Sequence, residues 1–259
     1  MRNWPEDYRG SAEWSEKPAN DLTNAGHRFL TQHVSDLQFF TRDLRLLETL
    51  DDAATVVDGA LSQLGVTRTP LRNRLQSMGI WAKSDALDES GGELIVTRYV
   101  DSYLTYVAEL LHEVLLVRPE ILSSQEQITV EESLTHSTME ELVAYLADRK
   151  VSRLSFKGLG DLDRYFSRNL GVGLVDDPAL GQLLREWVAL RNLVTHRRGV
   201  VDLRAHNGGL PPAHYALGEQ VRITRTNGFR MLAAVVIAVF DLDRRIIAKF
   251  DLPRGNFEQ

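Results

Sequence analysis

Apolar side chains recur at intervals of three and four residues through most of this 259-residue chain, and this spacing limits the fold more than any other sequence feature. The clearest example lies within residues 21–50, where the series is Leu30, Val34, Leu37, Phe40, Leu44 and Leu47. Residues at this spacing share one face of an α-helix, whereas a half-buried strand alternates apolar and polar positions. Only residues 221–224 have the character of a short strand. The sequence therefore predicts an all-α fold.

Capping residues, glycines and prolines predict where the further helices begin and end. These helices are expected at about 52–64, 70–78, 93–117, 138–151, 159–170, 178–198 and 228–249. Residues 83–92 are acidic and small and end in two glycines, which is typical of a linker. The linker divides the chain into an N-terminal helical region at 1–90, with an irregular arm at 1–20, and a C-terminal helical bundle at 91–259.

Composition limits the class of protein. Hydrophobic residues make up 43% and charged residues 25%, as in ordinary globular domains. The absence of cysteine excludes disulfides and thiolate metal sites, and it agrees with a reducing compartment. The first residues lack the apolar core of a signal peptide, and the longest apolar run, Met231 to Phe240, is about half of what a membrane span needs. We therefore expect a cytoplasmic protein without membrane contact.

The charge of the chain has two interpretations. A formal net charge of −6 argues against a nucleic-acid partner. However, 25 of the 30 basic residues are arginine, whose planar fork binds phosphate oxygens in pairs. The same arginine excess is typical of proteins from GC-rich genomes. Local arginine clusters therefore indicate a nucleic-acid partner better than the total charge does.

One such cluster ends the helix predicted at 178–198, where residues 184–199 read LREWVALRNLVTHRRG. Arg191 is followed by the polar residue Asn192 and, five positions after the arginine, by His196. This spacing resembles the motif of HEPN-superfamily nucleases, in which four to six residues separate an arginine from a histidine. The succession of helices over about 92–250 is similar to that family as well.

The resemblance implies a HEPN-like helical bundle that forms a homodimer and cleaves RNA endonucleolytically, without a metal ion or another cofactor. It assigns catalysis to three residues. Arg191 would hold the phosphate, and His196 would be the acid–base group. Asn192 would orient His196 or contact the phosphate. Arg197 and Arg198 would bind the RNA backbone. Family members often act as toxins or defence effectors, which implies an inhibitor or defence-system partner protein.

The chemistry of these residue types agrees with that reaction. RNA cleavage without metal needs a base for the 2′-hydroxyl, an acid for the departing 5′-oxygen and a cation for the phosphate. Histidine titrates near neutral pH, and arginine supplies a permanent charge. Arg191 and His196 lie about 140° apart around a regular helix. One chain therefore need not align Arg191 and His196 on the same phosphate. A second copy of the chain that faces the first would bring an arginine and a histidine to one phosphate.

Other interpretations of the motif stay open. With 25 arginines and seven histidines, about one such pair is expected by chance, and a second copy exists at Arg28–His33. The segment from His196 to Gly199 is also typical of a helix C-terminus, where cations complement the dipole before a glycine. A HEPN fold retained as an inactive binding or scaffold module would keep the same residues.

Residues 55–79 resemble a helix-turn-helix motif, with Gly65 in the turn. In that motif the second helix enters the major groove, which would place Arg68, Arg72 and Arg74 at DNA. A plain helical hairpin has the same pattern. The alternative function is thus a DNA-binding regulator that dimerises through its HEPN-like part. A nuclease depends on His196, whereas a regulator depends on the three arginines.

Overall fold

The computed structural model describes residues 21–65, 69–70, 73, 84–122 and 128–254. These residues confirm the all-α class, because within them β-pairing is limited to an isolated bridge between Val200 and Gln220. A 3₁₀ turn at Pro119–Leu122 and a π-helical turn at Phe166–Leu170 accompany the α-helices. The α-helices are α1 Asn24–Gln63, α2 Ser84–Val117, α3 Val130–Leu134, α4 Met139–Lys157, α5 Leu159–Tyr165, α6 Pro178–Arg197, α7 Leu203–Asn207 and α8 Arg225–Phe250.

Helices α2 and α8 run side by side in the same direction and form the centre of the core. Gly228 in the first turn of α8 lies against Ile95, which is the twelfth residue of α2. Further along, the Tyr106 hydroxyl of α2 lies 3.2 Å from the Val239 carbonyl oxygen and 3.1 Å from a carboxylate oxygen of Asp243. The apolar run Met231 to Phe240 is the middle of α8, and it packs in this core. No helix in the described ranges is both long and apolar enough to cross a membrane.

The first half of α1 packs antiparallel along α2. The Arg28 guanidinium donates to Glu109 at 2.8 Å and to Glu113 at 3.0 Å, while eight residues later Asp36 accepts from Arg98 at 2.8 Å. These pairs bracket buried apolar contacts in the same interface. The N-terminal helix is therefore part of the core that α2 and α8 build.

Helix α1 is one helix of 40 residues, whereas the sequence predicted two, at 21–50 and about 52–64. Asp51, which lies between the two predicted helices, is neither glycine nor proline, so it does not interrupt the backbone hydrogen bonds. The predicted stop is confirmed: α1 ends at Gln63, and Gly65 has a φ of 68°. The arm at 1–20 and the arginines Arg68, Arg72 and Arg74 lie outside the described residues.

The predicted linker at 83–92 is instead helical from Ser84 onward. Helix α2 therefore runs through the predicted boundary between 1–90 and 91–259. The acidic character has another cause, since Asp88 accepts a hydrogen bond from the Arg225 backbone N–H at 3.2 Å. Carboxylates are favoured at that place because a helix N-terminus carries a partial positive charge. Asp88 thus serves a contact with the start of α8.

The glycines of that segment allow close packing rather than a turn. A Cβ atom added to Gly92 would lie 2.1 Å from the Ile223 carbonyl oxygen, which is backbone and cannot rotate away. The residues before α8, where the sequence predicted a short strand at 221–224, form no strand, although the Val221 N–H donates to the Gly199 carbonyl oxygen at 2.9 Å. Gly92 therefore lets the segment before α8 lie directly against α2.

We expect Gly92→Ala to destabilise the fold by about 1–3 kcal/mol, because the added methyl group overpacks a backbone contact. The matched control is Gly59→Ala in α1, where a Cβ meets no described atom within 4 Å. Alanine is the better helix former, so the control should stabilise by about 0.5–1 kcal/mol. Urea unfolding of both variants measures the difference, and equal effects would contradict the close contact.

Candidate functional site

Helix α6 carries the Arg191–His196 motif and is specified at both ends. The Asp177 side chain caps it by accepting from the Ala179 N–H at 2.8 Å, and Pro178 stands at the first helical position. Its apolar stripe, which includes Trp187, is buried in the core. Trp187 therefore packs in the core. Burial of this stripe fixes which way the motif residues face.

Arg191 lies at the edge of the core and is held by two neighbours. Its guanidinium forms an ion pair with Asp101 of α2 at 2.6 Å and donates to the Asn192 side-chain oxygen at 3.0 Å. The Arg191 side chain is 23% exposed, while its Nε atom is buried and has no hydrogen-bond partner in the described part of the chain. The cation is thus fixed in position, and only the exposed fraction of its side chain is accessible from solvent.

His196 lies in the last turn of α6 and is exposed. Its ring makes no hydrogen bond or ion pair with any described residue. Asn192 is exposed as well, and its oxygen accepts from Arg191 rather than from His196. The structure therefore brings Arg191 and Asn192 together and leaves His196 facing solvent. The expectation that Asn192 orients His196 has no hydrogen bond to support it.

The two arginines after His196 differ in their surroundings. Arg197 pairs with Asp202, the residue that caps α7, at 3.2 Å. Arg198 ends α6 in the left-handed conformation with a φ of 51°, and its carbonyl oxygen accepts from Gln220 at 2.7 Å. Its side chain is exposed and makes no ion pair within the described ranges. Of the two predicted RNA-binding residues, Arg198 is the more available cation.

Asp101 is the residue of this site that the sequence did not reveal. It stands 90 positions before Arg191, on a helix whose other features concern packing. The one local signal was a carboxylate directly beside the buried positions Tyr99, Val100 and Tyr103 of α2. A charge at the edge of an apolar stripe needs a partner, but only the packing of α6 on α2 shows which one.

The second Arg-x4-His match, Arg28–His33, has a structural role. Its arginine binds Glu109 and Glu113, as described above for α1. Its histidine packs between Phe29, with ring centroids 6.1 Å apart, and Tyr99, at 5.6 Å. Burial lowers the pKa of His33, although the nearby Asp36 opposes this shift. A half-buried imidazole packed between two rings differs clearly from the exposed ring of His196.

Among the residues that the structure describes, no group of three His, Asp or Glu side chains is placed to share a metal ion. No known protein-family model matches the chain, and neither a curated protein nor a solved structure shows significant similarity to it. The resemblance to HEPN nucleases therefore depends on the motif and on the order of the helices.

Proposed function

We propose that this protein is a metal-independent endoribonuclease of HEPN type that acts as a homodimer. The observation that carries the proposal is the contrast within one helix end: Arg191 is fixed by Asp101 at 2.6 Å, whereas His196 is exposed and unengaged by any described residue. A positioned cation and an accessible imidazole are two of the groups that this chemistry needs. A toxin or defence role, with a restraining partner protein, is supported by the resemblance alone.

In the proposed reaction the 2′-hydroxyl oxygen attacks the adjacent phosphorus and loses its proton to a base. The bond between phosphorus and the 5′-oxygen breaks, and that oxygen receives a proton from an acid. The products are a 2′,3′-cyclic phosphate and a 5′-hydroxyl. Neutral imidazole can be the base and imidazolium the acid, so His196 is suited to either proton transfer. Arg191 stabilises the charge that develops on the phosphate oxygens.

A dimer supplies what one chain lacks. The motif of each chain offers one imidazole, while the reaction needs a base and an acid at the same time. The surface just after the motif is suited to self-association, because Val200 is 41% exposed and Leu203 is 67% exposed. Two copies that face each other here would place a second His196 near the first.

The test is cleavage of a labelled RNA pool in EDTA, with chemical identification of the product ends. We expect cleavage that leaves cyclic phosphates, and a loss of specific activity when the protein is diluted below its dimer dissociation constant. Products with 5′-phosphate ends would contradict the mechanism. A monomer with full activity would contradict the dimer.

An inactive RNA-binding module is the second candidate, and one observation favours it. The ion pair with Asp101 offsets the charge of Arg191 within the same chain. RNA binding without cleavage, by protein tested with and without cell extract, would select this candidate. The helix-turn-helix regulator has no comparable support, since its three arginines lie outside the described residues.

We expect Asp101→Asn to lower kcat by about 10- to 100-fold without raising KM. The amide keeps the shape of the side chain but releases the guanidinium from its position, and misplacement of a catalytic group has effects of this size. Substrate binding should not weaken, because the phosphate no longer competes with a carboxylate for Arg191. Steady-state kinetics measure both constants.

The matched control is Asp161→Asn, which breaks another arginine–aspartate pair, to Arg164 at 2.8 Å, away from the motif. Its kinetics should equal those of wild type. The stability of both variants should change by less than about 1 kcal/mol, because exposed ion pairs contribute little. A higher KM for Asp101→Asn would show that Asp101 has another role.

A further inference from the structure

A half-open pocket of about 240 Å³ lies between α1 and α2, beside the ion pair of Arg191. Two of its lining residues are aromatic, Phe29 and Tyr106; both are almost fully buried, and their rings meet edge to face with centroids 5.9 Å apart. Asp101 belongs to its wall and at the same time binds Arg191 at 2.6 Å. A ligand in the pocket is therefore separated from the Arg191 guanidinium by a single carboxylate.

The charges that line the pocket are already paired. Arg28 binds Glu109 at 2.8 Å, Arg98 binds Asp36 at 2.8 Å, and Asp101 binds Arg191. Each lining cation is thus offset by a carboxylate at hydrogen-bond distance. A phosphate would have to break one of these pairs to bind here. The pocket is suited instead to a neutral group.

Polar groups without a charge remain available in the pocket. Ser102 and Thr105 stand three residues apart on the same face of α2, and their hydroxyls make no hydrogen bond within the described part of the chain. Gln32 of α1 donates to Asp36 at 2.8 Å, and its side-chain oxygen accepts no hydrogen bond from the described residues. The pocket therefore offers two hydroxyls, each a donor and an acceptor, and one amide oxygen.

These features match a nucleobase. Single-stranded RNA is recognised through contacts of flat bases with aromatic side chains and through hydrogen bonds to base edges. A volume of 240 Å³ is below the roughly 300–1,000 Å³ of pockets for drug-sized ligands, so it suits one ring system rather than a whole nucleotide. A base bound here would carry its phosphate out toward Arg191.

We propose that this pocket binds the base of the nucleotide beside the scissile phosphate, and that α1 and α2 together set the base preference of the enzyme. This inference rests on the proposed function, and it gives the first half of α1 a role in substrate selection. The hydroxyls of Ser102 and Thr105 contact the base edge. The paired arginines shape the pocket without contacting phosphate.

The test compares octamers of A, C and U and a G-containing octamer. Fluorescence anisotropy measures their binding to His196→Ala, which does not consume them, and cleavage is followed with the otherwise wild-type protein. We expect one base to be preferred. Adding Ser102→Ala with Thr105→Val should reduce that preference about 3- to 10-fold, the effect of losing one or two hydrogen bonds. Neither substitution removes a bond that the fold uses.

The control is Thr41→Val, which removes a helical hydroxyl of α1 that donates to the Leu37 carbonyl oxygen, outside the pocket. It should keep the wild-type preference. Cleavage without base preference, or a preference that survives the double substitution, overturns the proposed role of the pocket and leaves the nuclease proposal intact. Base-selective binding without cleavage overturns the nuclease proposal and supports base binding by the pocket. Absence of RNA binding overturns both.

Discussion

His196→Ala is expected to reduce the rate of RNA cleavage by about 10²- to 10⁴-fold, the usual contribution of a general acid–base group. The exposed ring makes no contact with described residues that the fold would lose, so the folded state should be unaffected. Because imidazole carries the proton transfers, kcat should fall while RNA binding changes little. The measurement is single-turnover cleavage in EDTA, with circular dichroism to confirm the fold.

His214→Ala is the matched control for this prediction, since His214 is also an exposed histidine and lies in the loop between α7 and α8. It should cleave like wild type. Asn192→Ala should have an intermediate effect, because its oxygen contacts Arg191 and not the imidazole. If His196→Ala cleaves at the wild-type rate, the motif is a helix end and the nuclease proposal fails.

Asp243→Ala is expected to have the largest effect on stability, about 3 kcal/mol. The carboxylate is fully buried on α8 and accepts from the Thr23 N–H at 2.7 Å and from the Thr23 hydroxyl at 2.6 Å. Tyr106 lies 3.1 Å away as a further donor. Alanine would leave the two Thr23 donors without this buried acceptor, while Tyr106 would keep only the Val239 carbonyl oxygen, and each unsatisfied donor is costly. Thermal and urea unfolding measure the change.

The loss should be local first, because Thr23 caps α1 and its hydroxyl also accepts from the Gly26 N–H at 3.0 Å. Hydrogen exchange is therefore expected to accelerate in the first turns of α1. Asp148→Ala provides the control: its side chain is 73% exposed and pairs with His112. A loss no larger than that of the control would show that Asp243 does not hold α1.

The pH dependence of stability tests the buried environment of Asp243 independently of the alanine substitution. Burial raises its pKa, although the hydrogen bonds from Thr23 and Tyr106 oppose the shift. The folded state then binds the proton more tightly than the unfolded state, whose aspartate titrates near pH 4. This contribution to stability is complete below that pH and is lost as the pH rises through the folded pKa. The difference in unfolding free energy between wild type and Asp243→Asn should therefore change with pH over this range, with wild type losing stability relative to the variant as the pH rises.

Local patterns in the sequence predicted the helical elements well where the cause was local. The helix at 159–170, the start of α6 at Asp177-Pro178 and the end of α1 before Gly65 depend on caps, proline and glycine within a few residues. The prediction of a linker at 83–92, which depended on Gly91-Gly92 and the acidic residues before them, was wrong, because α2 begins at Ser84. Glycine marks both turns and close contacts, and only the neighbouring α8 decides which of the two applies.

By itself, the sequence determined the all-α class and the placement of Arg191, Asn192 and His196 near the end of an amphipathic helix, because these follow from spacing along one chain. The tertiary structure decided that α1 belongs to the core, that Asp101 holds Arg191 and that Arg28–His33 is a packing element. Each of these contacts joins residues on different helices. Which side chains meet there depends on how the helices pack against one another, and no local pattern encodes that arrangement.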